Sequence, residues 1–171
     1  MEFKDIIQKR RSVREFTDEI VSDEKLCRVL EAARLAPSAS NRQAWKFVVV
    51  KDSNKRKALA QAANNQAFVG QAPIIIVAVA LMPERIMTCG VPSYAVDLAI
   101  AMEHVVLAAV DEGLGTCWIG AFSQENVRRI MGIPDKYKVV TVMPMGYSAG
   151  KTAARPRQPI EEVVCYEKFT E

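Results

Sequence analysis

IIIVAVAL, at residues 74–81, lies between Pro73 and Pro83 and contains no polar side chain. Its β-branched residues are typical of a strand, and the lack of polar alternation predicts that both faces of this strand are buried. The apolar run from Ile74 to Met82 is far shorter than the about 20 residues that a membrane-spanning helix needs. The sequence therefore predicts a core strand here and no membrane segment.

Helices and strands alternate on both sides of this strand. Helical spacing and capping residues predict helices that begin near Phe3, Ser22, Ser53, Ser93 and Ser123, and strand-like runs occupy residues 45–50, 116–119 and 138–145. Such alternation, taken alone, is typical of an α/β fold with a parallel sheet. Residues 146–160 are polar and rich in proline, so we expect an irregular segment there.

The composition indicates one globular unit. The chain has 171 residues, of which 50% are hydrophobic and 25% are charged, and we find neither a repeat nor a linker that would divide it. We therefore expect a single domain over residues 1–171. The N-terminal residues mix both signs of charge and contain no signal-peptide apolar region, so we expect a cytoplasmic location.

Cysteine and histidine usage disfavours metal and triad chemistry. The four cysteines, Cys27, Cys89, Cys117 and Cys165, lack metal-ligand spacing, and we expect them to be reduced and mostly buried. The only histidine, His104, lies inside an apolar helical pattern, which favours a hydrogen-bonded core imidazole over an acid-base group. Zinc hydrolysis and Ser-His-Asp catalysis are therefore poor explanations, and any chemistry is expected to belong to a cofactor.

Basic residues are concentrated near both ends of the chain. RRSVR at residues 10–14 places three guanidinium groups and a hydroxyl at a helix end, and RPR at residues 155–157 adds a second basic segment stiffened by proline. Each could be a solvated turn, but a dianionic phosphate held between them accounts for both. Only 7% of the residues are aromatic and no recognition-helix pattern is present, so we expect no nucleic-acid partner.

Two further segments could bind a ligand. APSASNRQAW, at residues 36–45, is either an ordinary turn or a binding loop anchored on the strand that follows it. GYSAGKT, at residues 146–152, resembles a P-loop, but three residues separate its glycines where four are required, and prolines follow it. A nucleotide-phosphate module built on this second segment is the weakest of the functional hypotheses.

Four motifs in order resemble the FMN-dependent nitroreductase family. These are R-R-S-x-R-x-F from residue 10, A-P-S-x-x-N-x-Q-x-W-x-F-V-V-V from residue 36, G-L-G-T-C-W-I-G from residue 113, and M-G-Y from residue 145 with R-P-R-x-P from residue 155. The resemblance covers nearly the whole chain. It implies an α+β fold with a mixed, mostly antiparallel central sheet flanked by helices, and an obligate homodimer with two FMN sites at the subunit interface.

The resemblance also implies roles for residues at the phosphate end of FMN. Arg10 and Ser12 are expected to contact the phosphate and the ribityl chain, and Arg11 is expected to contribute mainly its backbone. Arg155 and Arg157 are expected to close over the phosphate.

Around the flavin ring, the resemblance places Arg14 near N1 and O2, and it places the backbone N–H of Gly120 at N5 with Ile119 beside it. Asn65 or Gln66 is expected at the pyrimidine edge. From the other subunit, four residues are expected to reach the flavin: Pro37, Ser38, Ala39 and Asn41.

The implied function is hydride transfer from NAD(P)H through FMN to a small organic acceptor such as a nitroaromatic compound or a quinone. The flavin carries this chemistry, so no catalytic side chain and no metal are expected. Only Met82–Val91 separates the core strand from the long helix, so any lid over the flavin should be small. The alternative is a protein that stores flavin or assembles with partners without turnover.

Overall fold

A computed structural model describes all 171 residues and has a four-stranded sheet at its centre. The strands are β1 (Trp45–Val50), β2 (Ile74–Ala80), β3 (Gly115–Thr116) and β4 (Lys138–Gly146), in the spatial order β1-β2-β4-β3. Every neighbouring pair is antiparallel, and the one parallel contact is an isolated bridge between Ser12 and Thr116. The mostly antiparallel sheet is thus confirmed.

The parallel sheet suggested by helix-strand alternation is wrong. Two helices, and not one, connect β1 to β2, and the chain returns in the opposite direction. Alternation along a sequence gives the order of the elements, whereas strand direction depends on how the connecting helices turn the chain.

Seven helices surround the sheet. Their bounds are α1 Phe3–Lys9, α2 Asp23–Arg34, α3 Ser53–Ala62, α4 Ala67–Gln71, α5 Ser93–Asp111, α6 Gln124–Met131 and α7 Ile160–Val163. The predicted caps are present, since the Ser22 side chain accepts the N–H of Lys25 and the Ser123 side chain accepts the N–H of Asn126. The sequence patterns did not predict α4, which has only five residues.

The buried residues form two main clusters, one on each face of the sheet. Alternate residues of β2 contribute to each cluster, so that Ile76 lies with α2 and α5, whereas Val77 lies with α3 and α6. All seven residues of β2 are buried, as the unbroken apolar run predicted.

Helix α5 is the core helix of this fold. By length and composition, α5 is long and apolar enough to cross a membrane. The sequence-based expectation considered only unbroken apolar runs, and charged residues interrupt the apolar residues of α5. Leu98, Met102 and Val105 are buried and belong to the cluster that packs on the sheet. Core helices of water-soluble proteins share this apolar composition, and the buried side of α5 accounts for it here.

The cysteine prediction is wrong in one respect. Cys117 is buried, and burial raises the pKa of its thiol, but Cys27, Cys89 and Cys165 are exposed. Cys27 is exposed because it directly follows the buried Leu26 in α2, and successive residues of a helix point in different directions. His104 meets expectation, since its Nδ1 lies 3.0 Å from the carbonyl oxygen of Ala32.

The C-terminal segment lies on the surface. Residues 148–171 are all exposed, and the only helix among them is α7, with four residues. No helix follows Gly146–Thr152 until Ile160, so the context that a P-loop needs is absent. Gly146 has a packing role, because a Cβ there would lie 2.4 Å from Pro73 Cδ.

Candidate cofactor-binding site

A cleft of about 330 Å³ brings the two basic segments together. We call it the arginine cleft. Its lining residues are Arg10, Arg11, Ser12, Arg14, Thr152, Ala153, Ala154, Arg155 and Arg157. All six residues predicted from these two segments are therefore neighbours, although more than 140 positions separate Arg10 from Arg155 in the sequence.

The N-terminal wall of the cleft is fixed by the end of α1 and by the sheet. Helix α1 ends at Lys9, and Arg10 continues in an extended conformation. The N–H of Val13 donates to the carbonyl oxygen of Thr116 at 2.9 Å, and Val13 is buried against Gly115. Because side chains alternate along an extended segment, burial of Val13 turns its two neighbours toward the other side, where the cleft lies.

The five guanidinium groups of the cleft have no carboxylate partner. None of the ion pairs of the chain includes them. Their hydrogen bonds go only to backbone carbonyls, as in the bonds from Arg11 Nη1 to the oxygen of Arg10 at 2.8 Å and from Arg157 Nη1 to that of Pro156 at 3.2 Å. Unneutralised guanidinium groups gathered in one cleft favour binding of an anion, and their forked donors suit a phosphate.

One carboxyl group lies close enough to Arg10 to feel its charge. Burial raises the pKa of the Glu103 carboxyl, and the positive charge of Arg10 and the neighbouring His104 partly offset that rise. Glu103 forms no ion pair with Arg10, so the arginine keeps its donors free for a ligand.

The loop at residues 37–43 lies outside the arginine cleft of its own chain. The N–H of Ala39 donates to Asp97 Oδ1 at 2.9 Å, and the N–H of Gln43 donates to Ser38 Oγ at 2.9 Å. These bonds shape the loop without a ligand. Within one chain, the structure does not bring Pro37, Ser38, Ala39 and Asn41 to the arginines, and their expected role toward a second copy stays a prediction.

The same loop has an unusual backbone. Ser40, Asn41 and Gln43 have φ angles of 53°, 51° and 51°, in the left-handed region that non-glycine residues rarely adopt. Such geometry persists only where surrounding contacts fix it, and it often marks functional loops.

Gly120 and Ile119 occupy the end of a short segment that pairs with β4. Ile119 is buried and exchanges two backbone hydrogen bonds of 3.2 Å with Val142. Gly120 is exposed, and its N–H donates to no group of the chain. A Cβ at Gly120 would come within 4 Å of only one atom, Trp118 Nε1 at 3.8 Å. The fold of this chain therefore leaves both the N–H and the space above it open.

Asn65 and Gln66 follow α3 and do not line the arginine cleft. Asn65 has a φ of 57° and an exposed side chain, whereas the amide of Gln66 donates to the carbonyl oxygen of Ala63 at 2.9 Å. The side chain of Asn65 is thus the freer of the two for a ligand.

Sequence reasoning missed two contributors to this region. Thr152 lies in the arginine cleft, and its position in the polar segment between two basic motifs was the available signal. Asp97 holds the loop at residues 37–43, and its signal was a carboxylate on the buried, otherwise apolar side of α5.

Comparison with known proteins identifies relatives across most of the chain. The Nitroreductase family profile matches residues 7–81 and 60–147. An FMN reductase [NAD(P)H] of Bacillus subtilis is 31% identical, with 90% of this chain and 68% of that protein covered.

Solved structures agree. A nitroreductase family protein from Clostridium novyi is 38% identical with a TM-score of 0.82, and the comparison covers 86% of each chain. An FMN-dependent nitroreductase from Clostridium difficile is 30% identical with a TM-score of 0.86, and 96% of this chain and 98% of that one are covered.

These matches confirm the resemblance that the four motifs indicated, together with the α+β fold. They also support the expected enzyme class, since the relatives are named as reductases that use flavin and nicotinamide cofactors. The profile match, the identities and the shared fold lead to one conclusion: this chain belongs to the Nitroreductase family.

Proposed function

We propose that this chain is an FMN-dependent oxidoreductase that takes reducing equivalents from NAD(P)H and delivers them to a small organic acceptor. FMN, when bound, supplies the redox chemistry by accepting a hydride and passing it on. The observation that carries the proposal is the arginine cleft, in which five unpaired guanidinium groups from two distant segments surround one cavity.

The residues of the arginine cleft fit the phosphate of FMN. Arg10 and Ser12 on one side and Arg155 and Arg157 on the other offer donors to a dianion, while the side chain of Arg11 is already bonded to the backbone oxygens of Gln8 and Arg10. Charge-assisted hydrogen bonds of this kind contribute about 1.5–3 kcal/mol each.

Arg14 and Gly120 are the residues assigned to the flavin ring. A guanidinium group near N1 and O2 stabilises the negative charge that gathers there on reduction. The free N–H of Gly120 can donate to N5, and the open space where its Cβ would lie leaves room for a substrate. Asn65 is assigned to the pyrimidine edge. No side-chain acid or base is assigned.

A second copy of this chain completes the proposed site. Helix α1 buries none of its residues, and Phe3 and Ile7 are 65% and 51% exposed on its apolar face. Tyr166 and Phe169 in the C-terminal segment are 84% and 83% exposed. Several large apolar side chains that are exposed to solvent in this way are typical of an interaction surface. In the homodimer, residues 37–41 of one copy contact the flavin held by the other.

In this proposal, residues 1–171 form a single domain. The protein is located in the cytoplasm. The four-stranded sheet carries a buried cluster on each face, and both clusters draw on β2. The small acceptor, a nitroaromatic compound or a quinone, enters above Gly120.

Absorbance spectroscopy of the purified protein tests the function. We expect a yellow protein with flavin bands that bleach on addition of NAD(P)H and recover when a nitroaromatic compound or a quinone is added. A yellow protein that neither donor bleaches would indicate flavin storage without turnover. A colourless protein that does not take up added FMN would refute the cofactor assignment.

A further inference from the structure

The side chain of Trp118 is open to solvent beside Gly120. It is 41% exposed and belongs to none of the buried clusters, whereas Trp45, the other tryptophan of the chain, packs against the cluster that contains residues of α5. The only side-chain hydrogen bond at Trp118 runs from Cys117 Sγ to its carbonyl oxygen, so the indole N–H donates to no group of the chain. Tryptophan is mostly buried in folded proteins, and an exposed ring with a free donor is therefore unusual.

The segment that carries Trp118 is extended, and its side chains alternate. Cys117 and Ile119 are buried, whereas Trp118 and Gly120 are exposed. The buried hydroxyl of Thr141 in β4 donates to the carbonyl oxygen of Ile119 at 3.0 Å. Strand β4 thus fixes the backbone on which the indole stands, and a ring held by a rigid segment can position a ligand.

The indole borders the space assigned to the reacting edge of the flavin. A Cβ at Gly120 would lie 3.8 Å from Trp118 Nε1, so the ring lies next to the free N–H of Gly120. The charge of Arg14 reaches the neighbouring Cys117, where it partly offsets the rise in the thiol pKa that burial causes. Trp118 therefore lies close to the residues assigned to N1 and O2 and to N5.

The properties of the indole match those of the proposed acceptors. Quinones and nitroaromatic compounds are planar and electron-poor, and they pack well against an electron-rich aromatic ring. Both carry oxygen atoms that accept hydrogen bonds. Transfer of a hydride to a quinone leaves negative charge on one oxygen, which then takes a proton from water to give the hydroquinone. A donor directed at that oxygen stabilises the charge as it develops.

We infer that Trp118 binds the acceptor, with its ring against the ring of the acceptor and its Nε1–H donating to a nitro or carbonyl oxygen. The inference rests on the proposed function, because it concerns the second half of that reaction, in which the acceptor takes up the electrons. It makes Trp118 a specificity-determining residue: planar acceptors that carry an oxygen gain two contacts, and acceptors without a ring gain neither.

Stopped-flow reoxidation of the FMN-loaded protein tests the inference. The flavin is reduced with one equivalent of dithionite, so the test does not depend on NAD(P)H, and is then mixed with 1,4-benzoquinone or with ferricyanide. Trp118→Phe keeps a ring and removes the N–H, and we expect it to slow reoxidation by the quinone about fivefold. Trp118→Leu also removes the ring and should slow this reaction further. Ferricyanide takes one electron at a time and has no ring, so its rate should not change.

Tyr137→Phe is the matched control. Tyr137 lies between α6 and β4, outside the segment that carries Trp118, and the substitution likewise removes one polar group from an aromatic side chain. It should leave both reoxidation rates at the wild-type value. The melting temperature and the Kd for FMN should be the same in Trp118→Phe and in the wild type, because neither the ring nor the buried neighbours are lost.

Three outcomes decide the matter. Wild-type rates with 1,4-benzoquinone in both Trp118 variants would overturn the inference and leave the proposed function standing. Equal slowing with 1,4-benzoquinone and ferricyanide would also overturn it, because Trp118 would then act on the flavin or on the fold. If the wild type is reoxidised by the quinone but is reduced by neither NADH nor NADPH, the proposed function fails, and the effect of Trp118 on the quinone is still measured.

Discussion

Asp97 Oδ1 accepts a hydrogen bond of 2.9 Å from the backbone N–H of Ala39. The bond joins the core helix α5 to the loop at residues 37–43, in which three non-glycine residues have left-handed φ angles. Asp97 is only 8% exposed and forms no ion pair, so its carboxylate is directed to this loop. A buried carboxylate bonded to a backbone N–H is a strong restraint, and here it acts on the segment that we assign to the flavin of the second copy.

Asp97→Ala is expected to free this loop. Loss of the charge-assisted bond should lower the free energy of unfolding by about 1.5–3 kcal/mol and weaken the visible circular dichroism of bound flavin, because the loop no longer holds one conformation. Asp97→Asn keeps an acceptor oxygen and should restore most of the flavin signal. An unchanged flavin signal in Asp97→Ala, with lower thermal stability, would show that Asp97 supports the fold and not the flavin site.

Arg10→Ala tests the arginine cleft. Removal of one charge-assisted fork should raise the Kd for FMN about 10- to 100-fold, measured by fluorescence titration of the apoprotein. Arg157→Ala should act in the same direction from the other wall of the cleft. Arg129→Ala is the matched control, since Arg129 is exposed on α6 and does not line the arginine cleft. Equal FMN affinity in Arg10→Ala and Arg129→Ala would remove Arg10 from the site.

Gly120→Val separates a role in the reaction from a role in the fold. A Cβ at this position would meet only Trp118 Nε1 at 3.8 Å, so we expect a normal melting temperature and retained FMN. Bulk beside the flavin should misplace the donor, and a displacement of about 1 Å can slow a reaction about 100-fold. Stopped-flow reduction by NADPH measures this effect. Normal reduction in a folded, FMN-loaded variant would show that Gly120 does not lie at N5.

Ile7→Glu tests the dimer. Ile7 is 51% exposed on the apolar face of α1, and a buried carboxylate in the interface would carry a desolvation cost that opposes association. Light scattering at micromolar concentration should show a dimer for the wild type and a larger monomer fraction for Ile7→Glu. Added FMN should raise the melting temperature of the wild type. Ile20→Glu, at an isoleucine that is 84% exposed outside α1, is the control. A wild-type holoprotein that is monomeric would refute the shared site.

Glu112 predicts a pH dependence of stability. The Arg28 guanidinium donates to both oxygens of Glu112 and holds the pKa of that carboxyl below its usual range. Because the pKa is lower in the folded state, the pair stabilises the fold above the unfolded-state pKa, and this contribution is lost as the pH falls through the folded-state pKa.

Thermal melting of Glu112→Gln should reveal this contribution. We expect a lower melting temperature than wild type at pH 7 and a difference that shrinks as the pH falls through the lowered folded-state pKa of Glu112. Glu125→Gln, at an exposed glutamate that forms no ion pair, should differ little from wild type at either pH. A difference that does not shrink as the pH is lowered would assign the effect to packing and not to charge.

Local patterns in the sequence determined most of the elements. Trp45–Val50 forms a strand at the predicted residues, β2 is buried on both faces, and Ser22 and Ser123 cap the helices that follow them. These features depend on neighbouring residues, because periodicity and capping act over a few positions. Helix α4 was missed because five residues are too few to show a helical period.

The motifs of the candidate site could also be recognised in the sequence, but their proximity in the folded chain could not be predicted from it. RRSVR and RPR each allow the reading of a solvated turn, and no local rule predicts that residues 10–14 and 155–157 line one cleft. Antiparallel pairing of the strands and the bond from Val13 to Thr116 bring them together. The open N–H of Gly120 and the bond from Ala39 to Asp97 are likewise visible only in three dimensions.

The physical reason lies in the range of the interactions. Side-chain chemistry and short-range periodicity depend on neighbouring residues, so the sequence by itself determined the three longer strands, the caps and the number of arginines in the two basic segments. The direction of the strands depends on how α5 and the other helices pack against both faces of the sheet, and so does the proximity of distant segments. This packing buries apolar area contributed by residues from the whole chain, so no local pattern can specify it. Only the tertiary structure could decide where the charges of the two basic segments meet.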